Sequence, residues 1–286
     1  MADPFLAPPP NKNSPAGITQ LKELLAEQGY WKYDITGTWG TRLTHAVTYF
    51  QQTHIGEDGK QLKGDAKVGD KTWWALRNPH GAPQRSNLAP SIPQGLLGTE
   101  RAVVLAKALA EHAKGVKEVP GGSNRGPEVD KYFPSWLLKK WPTKTTKGEA
   151  WCAFFVNWVV TQALGSRPWG GYIGSCYTLW KTSRSKGLPI YSGGANLCPG
   201  DAFLLFKTDP DKGRPKGGHI GLVLRVSEDG SQINTVEGNC GNRVAVKLRS
   251  TSDISRFVNF YGDKGHSVDF ERGLVDATDV SGSGTR

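Results

Sequence analysis

No stretch of this 286-residue sequence approaches the roughly 20 consecutive apolar residues that a helix needs to cross a bilayer. The first residues are rich in proline and polar side chains, and they lack the basic start and apolar core of a secretory signal peptide. We therefore expect a protein that does not insert into membranes and is synthesised in the cytoplasm without a signal peptide. If its target lies outside the cytoplasm, another system must release or deliver it.

Cysteine is also scarce. The four cysteines have neither the close pairing of a zinc site nor the density of a disulfide-stabilised domain: Cys152, Cys176, Cys198 and Cys240. We interpret three of them as buried or incidental, and one, Cys152, as special for reasons given below.

Basic residues outnumber acidic ones, giving a net charge of +10, and the excess lies in the second part of the chain. Residues 17–79 carry eight Lys/Arg and seven Asp/Glu, whereas residues 80–286 carry 27 and 18. A basic surface raises the encounter rate with any polyanion, including nucleic acid, anionic lipid and the bacterial envelope. Because no Lys/Arg block or aromatic-basic motif is present, we expect no nucleic-acid partner.

Composition divides the chain into five segments. Residues 1–16 have too little apolar content to fold alone and are predicted to be a flexible lead-in. Residues 17–79 and 99–265 are predicted to be folded domains, separated by a linker at 80–98 that is rich in Pro, Gly, Ser, Asn and Gln. Residues 266–286 are small and polar at their end, and we expect a mostly disordered tail.

Apolar spacing predicts an all-α domain followed by an α+β domain. Three helices are predicted in residues 17–79, the second of them from Leu43, Ala46, Val47 and Phe50 at helical spacing. Further helices are predicted at 99–113, 129–139 and 152–164, and short strands at 202–206, 220–226, 232–236, 244–248 and 257–261. Helices followed by strands favour helices packed on one face of a twisted antiparallel sheet.

Cys152 and His219 are the candidate catalytic pair. Cys152 opens an apolar helix, where the helix dipole and a neighbouring imidazolium lower the pKa of a thiol. His219 lies among glycines at a strand start, where small residues leave room around an imidazole. Glu237 and Asn239 follow the next strand and are placed to hold the second ring nitrogen if the two strands pair as antiparallel neighbours.

Each of these residues also has a structural interpretation. A cysteine on an apolar helix is more often a small buried side chain than a nucleophile. A histidine between glycines is usually structural, and Glu237 and Asn239 could be turn residues because Gly238 and Gly241 flank them. The order of a helix-start cysteine, a strand histidine and a next-strand acid favours catalysis, because independent accidents would seldom reproduce it.

The segment Trp151, Cys152, Ala153, Phe154, Phe155, Val156, Asn157, Trp158 resembles the cysteine motif of the CHAP family, the cysteine, histidine-dependent amidohydrolases/peptidases. Residues 199–203 look like that family's entry into a strand, and Gly218, His219, Ile220, Gly221 and Val223 look like its histidine strand. Residues 236–239 match its third motif. The resemblance covers about residues 99–262.

This resemblance implies a papain-like catalytic domain and hydrolysis of amide bonds in peptidoglycan. Cys152 would attack the carbonyl, His219 would exchange the proton, and Glu237 would orient His219 with Asn239 assisting. Residues 124–127, including Asn124 and Arg125, resemble a loop that precedes the cysteine in some relatives. We expect this loop to shape the substrate groove and Trp151 to contact substrate. The calcium-binding Asp cluster of some members is absent, so no metal and no cofactor are expected.

Residues 17–79 resemble the three-helix peptidoglycan-binding module found beside many wall hydrolases. The matching marks include Gly37, Trp39 and Gly40, although Thr36 stands where an Asp is usual and extra residues follow His54. Most of the aromatic and leucine side chains are expected to be core, and three are candidates for sugar contact: Trp39, Tyr49 and Trp74.

Together these features predict a monomeric peptidoglycan hydrolase, either an endopeptidase or an N-acetylmuramoyl-L-alanine amidase, with peptidoglycan as its partner. It would be bacteriolytic, acting in the periplasm or cell wall as an endolysin or as a secreted antibacterial effector, and an effector would imply an immunity protein. Two alternatives are a non-catalytic cell-wall-binding protein and a basic nucleic-acid-binding protein. A single fast-reacting cysteine would favour the enzyme, and salt-sensitive retention of DNA would favour the nucleic-acid-binding protein.

Overall fold

The computed structural model describes residues 3–28, 30, 31, 33–60, 62–78, 92–96, 99–141, 147–261, 270, 272 and 273. The chain divides into two compact units, residues 1–106 and 107–286. In the described part of the chain, no helix has the length and apolar character needed to cross a membrane.

The described residues form seven α-helices and one six-stranded antiparallel sheet, which is the α+β class expected. The helices are α1 (Pro15–Glu27), α2 (Thr41–Thr53), α3 (Asp70–Arg77), α4 (Glu100–Ala113), α5 (Ser135–Leu138), α6 (Cys152–Leu164) and α7 (Cys176–Ser185). The strands are β1 (Ile190–Tyr191), β2 (Ala202–Phe206), β3 (Gly218–Val226), β4 (Gln232–Cys240), β5 (Arg243–Ser250) and β6 (Arg256–Val258).

The first unit contains the three predicted helices α1, α2 and α3. Helix α1 begins with Pro15 at its first position and is capped by the Ser14 hydroxyl, which accepts from the Gly17 N–H at 3.3 Å. Helix α1 packs against α2 and α3 through apolar side chains that are fully buried. That this unit is a peptidoglycan-binding module stays a prediction.

Residues 3–14 differ from the flexible lead-in expected from composition. Leu6 is fully buried and exchanges two backbone hydrogen bonds with Val68, at 3.1 and 2.7 Å. The Trp73 indole N–H donates to the Pro4 carbonyl at 2.7 Å. A single buried leucine and a backbone bridge therefore hold the segment on the first unit, although its average composition is polar.

The predicted linker and tail lie largely outside the described residues. The division between the units follows residue 106, inside α4 and after the predicted linker 80–98. In the predicted tail, Phe270 packs against the core of the sheet, and the Gly273 N–H donates to the Val226 carbonyl at 2.9 Å. These two residues therefore have defined contacts, and a mostly disordered tail stays a prediction.

In the second unit, the single helix expected at 129–139 is two short turns. A 3₁₀ turn spans Asp130–Tyr132, and α5 begins at Ser135. Phe133 between them is extended, with φ −87° and ψ 143°. Proline disfavours helical angles in the residue before it, so Pro134 explains the break.

The sheet has the order β1-β6-β2-β3-β4-β5, with all pairs antiparallel. All five predicted strands are present, whereas β1 and α7 were not predicted. Strand β3 pairs with β4, as the interpretation of the site required, and β4 pairs with β5. Three neighbouring strands can therefore contribute side chains to one site.

Helix α6 begins and ends at the predicted residues and packs against β3 and β4. It ends at Gly165, whose φ of 72° is left-handed and suits glycine. Gly238 of β4 lets the helix approach closely, because a Cβ there would lie 2.4 Å from the Phe155 Cβ. Because Gly238 has no side chain, Phe155 of α6 packs directly against β4. This contact brings the start of α6 near the sheet.

We expect Gly238→Ala to destabilise the protein by about 1–3 kcal/mol, because the added methyl overlaps Phe155 in a closely packed interface. Urea unfolding measures the change. Gly171→Ala is the matched control, since nothing lies within 4 Å of its Cβ position. Equal stability of the two variants would contradict this packing.

Candidate active site

The sulfur of Cys152 lies where two helices begin. Cys152 is the first residue of α6, and Cys176 is the first residue of α7. The positive end of a helix dipole favours a thiolate. Cys152 is 4% exposed, and its sulfur accepts a hydrogen bond from the backbone N–H of Ile220. These contacts suit a buried sulfur that carries negative charge.

The imidazole of His219 joins this sulfur to a carboxylate. His219 lies near the start of β3 and hydrogen bonds to Cys152. Its Nε2 lies 2.8 Å from Oε2 of Glu237 in β4. Because Glu237 engages Nε2, Nδ1 is the ring nitrogen left for the sulfur. The structure thus brings together three of the four residues proposed for catalysis.

The Glu237 carboxylate is fully buried and is also bound by Arg249 of β5. Arg249 donates from Nε to Oε1 at 2.5 Å and from Nη2 to Oε2 at 2.6 Å, and the Thr235 hydroxyl donates to Oε1 at 2.5 Å. A bidentate guanidinium fixes both the position and the charge of a carboxylate. Sequence reasoning missed both residues, although strand alternation places Thr235 on the same face as Glu237.

These contacts determine which groups carry charge. The pKa of Cys152 is well below the ordinary thiol value because Cys176 and His219 hydrogen bond to its sulfur, although burial opposes this. Burial alone would lower the pKa of His219, but hydrogen bonds to Cys152 and Glu237 raise it to about 9. Burial also disfavours ionisation of Glu237, yet Arg249 and His219 hold its pKa well below the usual range. At neutral pH the site therefore holds four neighbouring groups whose charges alternate in sign. They are the Cys152 thiolate, the His219 imidazolium, the Glu237 carboxylate and the Arg249 guanidinium.

Cys176 is a second thiol in this site. Its sulfur lies 3.8 Å from that of Cys152. The hydrogen bond to Cys152, together with burial, raises the pKa of Cys176 well above the ordinary thiol range. It therefore stays protonated and donates its S–H to the Cys152 thiolate. Cys176 is buried, as the sequence interpretation allowed, but its contact with Cys152 was not predicted, and no motif around Cys176 could have revealed it.

Asn239 does not assist His219 in the way the resemblance implied. In the amide orientation that satisfies both ends, its nitrogen donates to Glu118 Oε1 and its oxygen accepts from the Trp151 backbone N–H, each at 3.1 Å. The Trp151 indole N–H also donates to Glu118, at 3.0 Å. None of these partners is the imidazole. Asn239 instead fixes the backbone that leads into Cys152.

The residues expected to shape the substrate groove make structural contacts. Arg125 is 5% exposed and binds Asp130 through Nε and Nη2, at 2.8 and 2.9 Å. Trp151 is fully buried. Arg125 and Trp151 therefore present almost no surface to a polymer, which corrects that expectation. Asn124 is partly exposed, and its side-chain amide donates to the Gly148 carbonyl at 3.1 Å.

Residues 144–239 match the family model of the CHAP domain. The match supports a CHAP-family protein and indicates, in general terms, an amidase or peptidase acting on peptidoglycan. The matched span contains Cys152, His219, Glu237 and Asn239. Searches of curated proteins and of solved structures gave no match. In the ranges the structure describes, no three His, Cys, Asp or Glu side chains meet as a group that could hold a metal ion.

Within the span that matches the CHAP model, a glycine makes room for Glu237. A Cβ at Gly221 would lie 2.8 Å from the Glu237 Cγ and 2.7 Å from the Phe203 ring. A Cβ at Gly218 would lie 2.9 Å from the Phe206 ring. The glycines on either side of His219 thus give space to neighbouring side chains, whereas the sequence interpretation expected them to leave room around the imidazole.

The predicted sugar-contacting residues lie in the first unit. Trp39 and Trp74 are partly exposed, and the Trp39 indole N–H donates to the Thr44 hydroxyl at 2.8 Å. The side chain of Tyr49 lies outside the described residues. Whether these residues bind sugar stays a prediction.

A groove of about 420 Å³ also lies on the first unit, lined in part by Thr38 and Gly40, and sequence reasoning missed it. In it, the Arg42 guanidinium stacks over Tyr33, with 4.5 Å between its carbon and the ring centroid. The Lys22 ammonium lies 4.9 Å from the Trp31 ring centroid and donates to the Thr36 carbonyl at 2.8 Å. The groove combines aromatic faces with hydrogen-bonding groups.

At pH near 7 we expect iodoacetamide to modify Cys152 at least about tenfold faster than the other cysteines, because only thiolates react. The lowered pKa of Cys152 keeps its thiolate populated as pH falls below about 8.5, the ordinary thiol value. Burial raises the pKa of Cys240 to about 11, so Cys240 stays a thiol and serves as an internal control. Peptide mass mapping over a series of pH values gives each rate.

His219→Ala tests the cause of this reactivity. Loss of the imidazolium should move the reactivity curve of Cys152 to higher pH. A Cys152 curve that coincides with that of Cys240 in the unaltered protein would contradict the assigned charges.

Proposed function

We propose that this protein is a peptidoglycan hydrolase that cleaves an amide bond in the peptide part of the wall by thiol catalysis. The contact of the Cys152 sulfur with His219, whose Nε2 lies 2.8 Å from Glu237, is the observation that carries this proposal. The CHAP match supports the substrate class. The net charge of +10 favours encounter with an acidic envelope.

In the proposed reaction, the Cys152 thiolate attacks the amide carbonyl carbon and forms a tetrahedral intermediate. The His219 imidazolium donates its proton to the leaving amine as the C–N bond breaks, and a thioester remains on Cys152. Water then attacks the thioester while the neutral imidazole takes its proton. Glu237 acts as a positioning residue, because it holds the imidazole and stabilises its charged form.

The backbone N–H of Cys152 is the proposed donor to the oxyanion. As the first residue of α6, its N–H has no acceptor within the helix and lies next to the attacking sulfur. The contact of Asn239 with the Trp151 N–H supports this role, since it fixes the preceding peptide.

Two bonds fit this chemistry equally well. One is the amide between muramic acid and L-alanine, and the other is a peptide bond of the stem or crosslink. Specificity depends on the walls of the groove rather than on the catalytic groups. We propose action in the periplasm or cell wall after release or delivery, as an endolysin or as an effector with an immunity protein.

We also propose that the first unit keeps the enzyme on the wall. Trp39 and Trp74 offer partly exposed aromatic surfaces, and the groove at Tyr33 and Arg42 offers a stacking face with a cation. Attachment through one unit raises the effective concentration of the other at the polymer.

Mass analysis of fragments released from purified peptidoglycan tests this function. The wild-type protein should release soluble fragments whose new termini identify the bond, and Cys152→Ala should lower the rate at least about a thousandfold. Cys198→Ala is the matched control and should retain release, because Cys198 is in the loop before β2 and is not one of the residues of the proposed chemistry.

Walls of different crosslink chemistry should be compared in the same assay. If every wall type stays uncut while the protein still sediments with it, the protein is a wall-binding protein and the hydrolase proposal is wrong.

A further inference from the structure

The two sulfurs in the site, those of Cys152 and Cys176, are both free thiols held 3.8 Å apart. Each residue is the first of its helix, and both are almost completely buried. A disulfide has sulfurs about 2 Å apart, so the two atoms need to move about 2 Å closer to form one. The mechanism proposed above uses Cys152 as nucleophile and requires no covalent chemistry of Cys176.

The loop between α6 and α7 holds Cys176 in place. The Asn157 side chain donates to the Ile173 carbonyl at 2.8 Å and accepts from the Ile173 N–H at 3.2 Å. Gly174 lies so close to the Phe154 ring that a Cβ there would be 2.2 Å from it. These contacts fix the residues just before Cys176 to α6, the helix that carries Cys152. The packing of this loop on α6 therefore keeps the two sulfurs close together.

The two thiols differ in charge in the way that a reactive and a resolving cysteine differ. Hydrogen bonding to Cys176 and His219 lowers the pKa of Cys152, which makes its sulfur the one that attacks an oxidant. The hydrogen bond to Cys152 and its negative charge raise the pKa of Cys176. Oxidation of Cys152 to a neutral sulfenic acid removes that charge and allows Cys176 to ionise.

We propose that Cys176 is a resolving cysteine, which forms a reversible disulfide with Cys152 after a hydroperoxide has oxidised the site. The disulfide blocks the sulfur that attacks substrate, so oxidation switches the enzyme off and a thiol reductant restores it. The loss of activity on oxidation rests on the proposed function, whereas formation of the disulfide does not.

The first step consumes one peroxide. The Cys152 thiolate attacks a peroxide oxygen, the O–O bond breaks, and the departing hydroxide takes the His219 proton to become water. Cys152 has lost two electrons to the peroxide and is now a sulfenic acid. In the second step His219 takes the Cys176 proton, and the Cys176 sulfur attacks the Cys152 sulfur. The S–O bond breaks and hydroxide leaves with that proton as a second water.

The test treats the full chain with hydrogen peroxide at low molar excess, blocks remaining thiols with N-ethylmaleimide, and maps disulfides by mass. The wild-type protein should lose two hydrogens and yield a linked peptide containing Cys152 and Cys176. Dithiothreitol should reverse the link. A sulfenic or sulfinic Cys152 beside an alkylated Cys176, or a link to another cysteine, would overturn the proposal.

Two variants sharpen the result. In Cys176→Ser, Cys152 should stop at the sulfenic acid, which dimedone traps, and should pass to the irreversible sulfinic acid with more peroxide. Cys198→Ala is the control and should form the same link as the wild-type protein. If Cys176→Ser does not fold, the peptide map of the wild-type protein still shows whether Cys152 and Cys176 form a disulfide.

An activity assay separates this proposal from the proposed function. Oxidised wild-type protein should release wall fragments at least about tenfold more slowly, and dithiothreitol should restore the rate. A linked peptide in a protein that cuts no wall would leave the disulfide standing and overturn the hydrolase. Wall cutting without a linked peptide would overturn the disulfide alone.

Discussion

The site depends on one fully buried carboxylate, that of Glu237, and on the charges that surround it. Moving an ion out of water costs several kcal/mol, so a buried carboxylate is stable only when paired and hydrogen-bonded. Arg249 on one side and His219 on the other satisfy that requirement. Because His219 is held charged, it can stabilise a negative sulfur on Cys152. The four groups form a row of alternating charges.

The fold of the second unit places these four charged groups next to one another. Arg249, Glu237 and His219 lie on β5, β4 and β3, which are neighbours in the antiparallel sheet, and Cys152 lies at the start of the helix packed against it. Glycines at 221 and 238 remove side chains where Glu237 and α6 come close to the backbone. Contact between a thiolate and an imidazolium thus requires both strand register and close helix packing.

The sequence predicts the parts of this arrangement that depend on local patterns. The apolar run from Cys152 to Leu164 predicts α6 to the residue, and the short β-branched runs that follow His219 and precede Glu237 predict β3 and β4. Arg249 could not be found in this way, because its contact with Glu237 depends on the register of two strands. Cys176 was missed for a similar reason, since its helix is mostly polar and its approach to Cys152 arises only from tertiary packing. Average composition also gave a wrong prediction for the segment around Leu6. The segment is polar on average, but burial of the Leu6 side chain holds it on the first unit.

The ionisation of His219 tests this account most directly. Nitrogen chemical shifts of its imidazole, followed by NMR across pH, report whether the ring carries a proton on both nitrogens. The account predicts a pKa of about 9, so the ring is charged at neutral pH, and a lower pKa in Cys152→Ala, where the negative sulfur is gone. A ring that is already neutral at pH 7 in the unaltered protein would contradict the alternating charges and the thiolate they stabilise.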